Sequence, residues 1–274
     1  MLAILKSQIY SKSIIPFKST RVHDVDKNGN IINCNYTNMN REDINWEKLA
    51  EFITDRYRNQ GHININCYAA SDGSEPYTLA LYLIKENGFN KAQKFFPIKA
   101  KDISEKQIQN AKQGKILLHK KDIEFLEKMK MMHYFEKDYN DKVQVMRGIE
   151  FYPYKVDKSL RKCVDFSVAD INNDASDKDF SNEVVMFRNG WTFNTLEKQD
   201  KLAENLYKNS NNKTLIIIGQ SDLFKSDAND ALQRNGFEGI RSDIFTDKET
   251  NYSSNSIGQK EGNSLYPEFI LFEK

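Results

Sequence analysis

Short apolar runs alternate with amphipathic stretches along most of this chain, and their periods predict its elements. Trp46, Leu49, Ile53 and Tyr57 recur at helical spacing, which predicts a helix from about Arg41 to Asn59 with Gly61 as its C-terminal cap. Ile63–Tyr68 reads as a strand, followed by a glycine-containing turn and a helix from Pro76 to about Glu86. Proline suits the first helical turn because its missing N–H would have no partner there. Phe96–Lys101 reads as a second strand ending at Asp102, and Ser104 with Gln107 forms a capping box for a helix that stops near Gly114. Further strands are expected at Val184–Phe187, Thr214–Ile218, Ile240–Phe245 and Glu268–Phe272, with helices at Leu196–Lys208 and Asp227–Arg234. Ahead of them, Val22–Ile32 reads as a hairpin, since apolar residues flank Asp26-Lys27-Asn28-Gly29 and Asn-Gly supplies the positive φ of a tight turn.

Strands alternating with helices predict an α/β fold, a Rossmann-like and mainly parallel sheet with helices on both faces. Ile116–Asp165 breaks the rhythm. Its helical first half and the strand-like Gln144–Arg147 and Glu150–Val156 suggest a small β-containing insert.

Composition narrows the class. The chain has 274 residues, 39% hydrophobic, enough for one large core. Lys and Arg total 40 against 39 Asp and Glu, so the basic excess of a nucleic-acid binder is missing. Cys34, Cys67 and Cys163 are scattered and form neither a disulfide framework nor a zinc set, and the four histidines have no ligand spacing. The apolar start Met1–Leu5 is cut by Lys6, and no apolar run has membrane-spanning length, so a cytoplasmic protein without membrane insertion is expected. Asp24–Ile31 matches the first part of a calcium-binding EF-hand loop, but Asn35 stands where the bidentate glutamate belongs; a plain hairpin is expected instead.

The chemistry concentrates in the turn Ala69-Ala70-Ser71-Asp72-Gly73-Ser74-Glu75-Pro76. Ligands of open α/β sheets bind at the carboxyl ends of strands, where a glycine allows close approach and a helix start offers N–H donors. Asp102, at the tip of the next strand, is placed to accept the hydroxyl hydrogens of a ribose. Together they point to a nucleoside-binding site.

Gly73-Ser74-Glu75-Pro76-Tyr77-Thr78-Leu79-Ala80 resembles the Gly-Glu-Glu-Pro-Tyr-Ser signature of the CheR family, the S-adenosylmethionine-dependent methyltransferases of chemotaxis receptors. Ala100–Ser104, Phe187–Phe193, Ile218–Asp222 and Asn35–Arg41 are similar to four further segments of that family, in the family's order. The resemblance implies a class I methyltransferase domain over 35–274, preceded by an extension, residues 1–34, that carries the hairpin. It implies that Asn35, Thr37 and Arg41 close over the methionine end of S-adenosylmethionine, with Gly73 and Glu75 at its amino acid moiety and Asp102 on the ribose. Asp170 and Ile171 take the place of the family's Asn-Leu beside the adenine, and Asn189 and Gly190 lie below the sulfonium. Arg41 is the candidate to orient a carboxylate in catalysis. The implied partner is a protein substrate, with a chemoreceptor-like protein as the family's precedent.

Three departures bear on function. Asp170 replaces an asparagine and loses its amide donor. Phe193 replaces a tyrosine near the transferred methyl, and the 34 residues before Asn35 are too few for the family's N-terminal helical domain. Methylation of a protein carboxylate is therefore weighed against a non-catalytic binder of the same cofactor and against a small-molecule methyltransferase.

Overall fold

Three strands without a surface-facing side lie at the centre of the fold: Ile65–Tyr68, Val184–Phe187 and Leu215–Ile217 are buried at every position, as parallel strands covered on both faces must be. The computed structural model describes residues 23–25, 31–34, 37–41, 43–146, 148–240 and 270–274. In chain order, β1 (His23–Val25) and β2 (Ile31–Cys34) pair antiparallel; the turn between them, with its calcium-loop residues, lies outside the described residues. Then come α1 (Trp46–Arg56), β3 (Ile65–Tyr68), α2 (Ser74–Asn87), β4 (Ile98–Asp102) and α3 (Glu105–Lys112). The insert holds β5 (Lys115–His119), α4 (Lys120–Lys128), β6 (Phe135–Lys137), β7 (Gln144–Met146) and β8 (Ile149–Val156). The chain continues through β9 (Val164–Val168), α5 (Ile171–Asp177), β10 (Val184–Phe187), α6 (Leu196–Lys208) and β11 (Leu215–Ile217). It closes with α7 (Gln220–Lys225), α8 (Ala228–Arg234), β12 (Glu238–Gly239) and β13 (Leu271–Glu273).

The main sheet has seven strands in the order β12-β13-β11-β10-β3-β4-β9. Neighbours from β11 to β9 are parallel, and β13 runs antiparallel between β11 and β12. From β3 the chain winds outward through β4 to β9, then returns to place β10 on the other side of β3. The order therefore reverses between β3 and β10, and the carboxyl ends of those two strands are where an α/β sheet opens a ligand crevice. In the insert, β8 pairs antiparallel with β5, with β6 and with β7.

Local physics accounts for the shifts from the predicted boundaries. The first helix starts at Trp46 rather than Arg41, because Asn45 accepts from the Lys48 N–H as an N-cap and fixes the start there. Its C-cap is Tyr57, not Gly61. Helix α2 begins at Ser74, which leaves Pro76 still in its first turn. It is buried nearly all round because the sheet covers one side and α1 the other. Ser104 caps α3 by accepting from the Gln107 N–H. Of the strand expected at Ile240–Phe245, only Ile240 is described; the preceding Glu238–Gly239 pairs with β13. Strands β5 and β9 and helix α5 have no counterpart in the sequence reading. β9 stands in the main sheet beside β4, although the reading has its first two residues inside the insert.

Candidate active site

The turn between β3 and α2 is held in a demanding shape. Ala69, Ser71 and Gly73 have φ of 55°, 50° and 92°, and non-glycine residues in this region carry strain that clusters at functional sites. Gly73 is required twice over: its φ is left-handed, and a Cβ there would stand 2.7 Å from the Phe166 ring. Asp102, buried at the tip of β4, fixes the turn to the next strand. Its Oδ2 accepts from the Ser71 N–H at 2.8 Å and its Oδ1 from the Ser104 N–H at 2.8 Å. A carboxylate offers about four acceptor sites, so backbone anchoring leaves it able to bind a ligand hydroxyl. The Ser71 hydroxyl is buried without a partner. Next to Asp102, Ile103 is 51% exposed, and Val168, paired with Asp102 across β4 and β9, is 53% exposed. A buried acceptor, an unsatisfied hydroxyl and two apolar side chains at adjacent strand tips suit a nucleoside, with its polar sugar and apolar base faces.

The other half of the site begins at the carboxyl end of β10. Arg188 has no exposed side-chain surface, and its guanidinium donates to Glu75 Oε2 and to Asp43 Oδ1, both at 2.6 Å. Its Cζ also lies 4.9 Å from the centre of the Trp46 ring. Burial pushes the Glu75 carboxyl up, opposed by Arg188 and Arg41. Burial acts on Asp43 in the same sense, but the two guanidinium charges outweigh it and hold that carboxyl below its ordinary value. Glu75 Oε1 also accepts from the Cys67 thiol, whose pKa burial raises well above normal.

The following turn, Asn189–Trp191, is locked by a second buried acid. Asp222 Oδ2 accepts from the Asn189 N–H at 2.6 Å and the Gly219 N–H at 2.9 Å, and its Oδ1 accepts from the Trp191 N–H at 3.2 Å. Burial pushes Asp222 up to about 7 despite those donors. Asn189 has φ 57°, and its Oδ1 accepts from the Ser221 N–H. Gly190 packs so closely on the Phe187 ring that a Cβ would come within 2.2 Å of it.

Thr37, half-buried, and Arg41 lie on the segment that precedes α1. That segment is tied down at Asn40, whose N–H donates to Thr78 and whose Oδ1 accepts from Tyr82, and at Met39, whose N–H donates to Asp122. The Arg41 carbonyl accepts from Trp46 Nε1. Asp170 is the N-cap of α5, accepting from the Asn172 N–H, and Ile171 beside it is buried. Phe193 is 62% exposed. Asn35 lies outside the described residues. Gly73, Glu75, Asp102, Asp170, Ile171, Asn189 and Gly190 thus all stand at the carboxyl edge of β3, β4, β9 and β10, while Arg41 and Asn189 line one common groove. Arg188, Asp43 and Asp222 have no role in the sequence reading, although Arg188 and Asp222 lie within its quoted motifs. An arginine directly before Asn189 in a buried strand end was the available signal.

The family model for the CheR methyltransferase SAM-binding domain matches residues 35–238. No curated protein matches the chain in sequence. Among solved structures, a TehB-like SAM-dependent methyltransferase from Corynebacterium glutamicum is 11% identical, with TM-score 0.38 over 72% of this chain and 74% of that one. Magnesium protoporphyrin IX methyltransferase from Synechocystis, solved with bound SAM, is 14% identical, with TM-score 0.36 over 71% and 70% of the two chains. A seven-stranded sheet with one antiparallel strand, an order reversal between β3 and β10 and a family match spanning both sides of that reversal lead to one conclusion: the chain belongs to the CheR methyltransferase family, enzymes with a class I fold that depend on S-adenosylmethionine.

Proposed function

We propose that this methyltransferase esterifies a carboxylate on a protein, the glutamate of a receptor-like substrate being the family's precedent. The observation that carries the reading is the union of Asp102 with the Gly73 turn through Ser71, beside a second loop at Asn189 that opens into a large groove. In this reading Asp102 accepts the ribose hydroxyls, Asp170 and Ile171 flank the adenine, and the Gly73 turn lies against the amino acid tail. Asn35, Thr37 and Arg41 close over that tail, and Asn189 and Gly190 lie below the sulfur. Glu75 acts through Arg188, which it anchors.

Bound S-adenosylmethionine supplies a methyl made electrophilic by its sulfonium. An ionised carboxylate needs no general base to attack it, so the protein contributes positioning and the removal of water from the nucleophile. Arg41 has the forked donors to orient either the acceptor carboxylate or the carboxylate of the cofactor.

A second reading, a binder that keeps the cofactor without transferring methyl, is favoured by Phe193 in place of the family's tyrosine. Tritiated-methyl transfer separates the two. Label entering protein and released as methanol by mild base is the expected result. Label confined to a base-stable small molecule, or no transfer at all from a protein that binds the cofactor, would overturn the proposal.

A further inference from the structure

Helix α4 of the insert starts on a histidine, where a short hydroxyl, amide or carboxylate side chain is the common cap. The His119 Nδ1 accepts from the Asp122 N–H at 3.1 Å, and Asp122 Oδ2 accepts from the His119 N–H at 3.0 Å. That same Nδ1 and Oδ2 stand 2.8 Å apart. Two lone pairs cannot face each other so closely, so a proton lies between them. The ring's lone pair already serves the Asp122 N–H, which leaves the proton on the acid. Asp122 is buried, while His119 borders the groove that holds Arg41, so the proton can exchange with solvent.

Asp122 also reaches out of the insert. It accepts from the N–H of Met39, two residues before Arg41, and Asn40 between them is tied to α2 through Thr78 and Tyr82. A second acid makes a matching link to the glycine turn. Asp72, beside Gly73, accepts from the Leu117 N–H of β5 and from the N–H and hydroxyl of Ser74. The insert thus grips the closing segment and the glycine turn through two carboxylates that repel each other. Of the charged groups facing the pair, Asp72 acts on Asp122, and Lys121 and Glu124 of α4 act on His119. Strand β8 presents the Phe151 ring, stacked on the imidazole with centres 5.7 Å apart. Burial pushes the Asp122 carboxyl up to about 8, with Asp72 adding to it, and pulls His119 down.

We infer that Asp122 is a positioning residue: from the insert it holds, through Met39, the segment that carries Arg41, and it does so while a proton lies between it and His119. Loss of the proton sets an anion against an imidazole lone pair and beside a second buried acid. Strand β5 is fixed to β8 along its whole length, so the clasp gives way at Met39, where opening lets water reach the charge. The clasp rests on these hydrogen bonds; the methyltransferase reading enters only through what Arg41 does for the cofactor.

The test compares wild type, Asp122→Asn and Asp122→Ala at about pH 6.5 and about pH 9, on either side of the Asp122 value. Asparagine cannot ionise and keeps an N–H for the His119 ring, so it stands for the protonated acid at both pH values; alanine removes the clasp. Amide deuterium exchange over residues 37–41, read against residues 184–187 in the same digest, reports the clasp without any ligand. At the lower pH, wild type and Asp122→Asn should exchange alike, with Asp122→Ala faster by about tenfold. At the higher pH, wild type should approach the alanine variant relative to Asp122→Asn. Calorimetry with S-adenosylhomocysteine should follow the same order, affinity falling about tenfold wherever the segment is released. Wild type and Asp122→Asn shifting in parallel with pH would overturn the inference, and this comparison decides even if Asp122→Ala does not fold. Exchange over 37–41 unaltered by alanine, or released exchange with unchanged cofactor affinity, would also sink it. The expected exchange with no cofactor heat from wild type at either pH would uphold the clasp and reject the methyltransferase reading.

Discussion

Arg188 shows how the site is held at the level of single side chains. Its guanidinium is fully shielded from solvent, so its charge depends on Asp43 and Glu75. Removing one partner of such a group leaves buried charge without compensation, at a cost of about 3–5 kcal/mol. Arg188→Met should lower the unfolding free energy by that order in urea titrations; a change below about 1 kcal/mol would mean the carboxylates find solvent instead. The sequence put Asn189 at the site but not this neighbour's function, because its partners lie 145 and 113 residues away along the chain. Phe193 is a different case: its ring is largely exposed, so packing does not explain it. If the ring faces the transferred methyl, Phe193→Tyr should change turnover while the affinity for S-adenosylhomocysteine stays within about twofold. An equal change in both would place the ring elsewhere.

At the scale of elements, two loops act as one unit. The β10–α6 turn is shaped by the β11–α7 turn, since Gly219 lies against the Asn189 amide and Asp222 accepts three of the unit's backbone N–H groups. A Cβ at Gly219 would stand 2.3 Å from Asn189 Oδ1 and 2.8 Å from its backbone nitrogen, and the backbone cannot swing aside as a side-chain tip can. Gly219→Ala should therefore reduce methyl transfer well beyond its effect on stability, measured as initial rate against melting temperature in the same preparation. Parallel losses in both would indicate a general weakening. The strands that build this edge were legible to different degrees. Val184–Phe187 is apolar throughout and fully buried, and its limits agree with the sequence reading. β5 and β9 have no place in the sequence reading: β5 falls largely within the half of the insert read as helical, and β9 follows the insert where the rhythm is already broken.

For the whole molecule, acids in the interior set a pH dependence. Asp222 titrates near 7 when folded against about 3.8 when unfolded, so the native state holds a proton that the unfolded chain has released. The stabilisation is full below about pH 4 and is lost as pH rises to about 7, at up to roughly 1.4 kcal/mol per pH unit. The melting temperature of wild type minus that of Asp222→Asn should fall between pH 5 and 8 by differential scanning calorimetry; a rising difference would contradict the burial argument. Topology sets the order reversal: placing β10 beside β3 after the chain has wound out to β9 brings Asp102, Gly73 and Asn189 to neighbouring strand ends. Sequence order alone suggested alternating strands, and the reversal became visible only with the pairing. In the proposed function the cofactor binds at these strand ends through Asp102. Titration calorimetry with S-adenosylhomocysteine on wild type and Asp102→Asn is the direct test. Saturable heat in wild type, weakened roughly tenfold to a hundredfold in the variant, is the predicted result, since hydrogen bonds to a charged group contribute about 1.5–3 kcal/mol. No heat in wild type, or equal affinity in the folded variant, would contradict it.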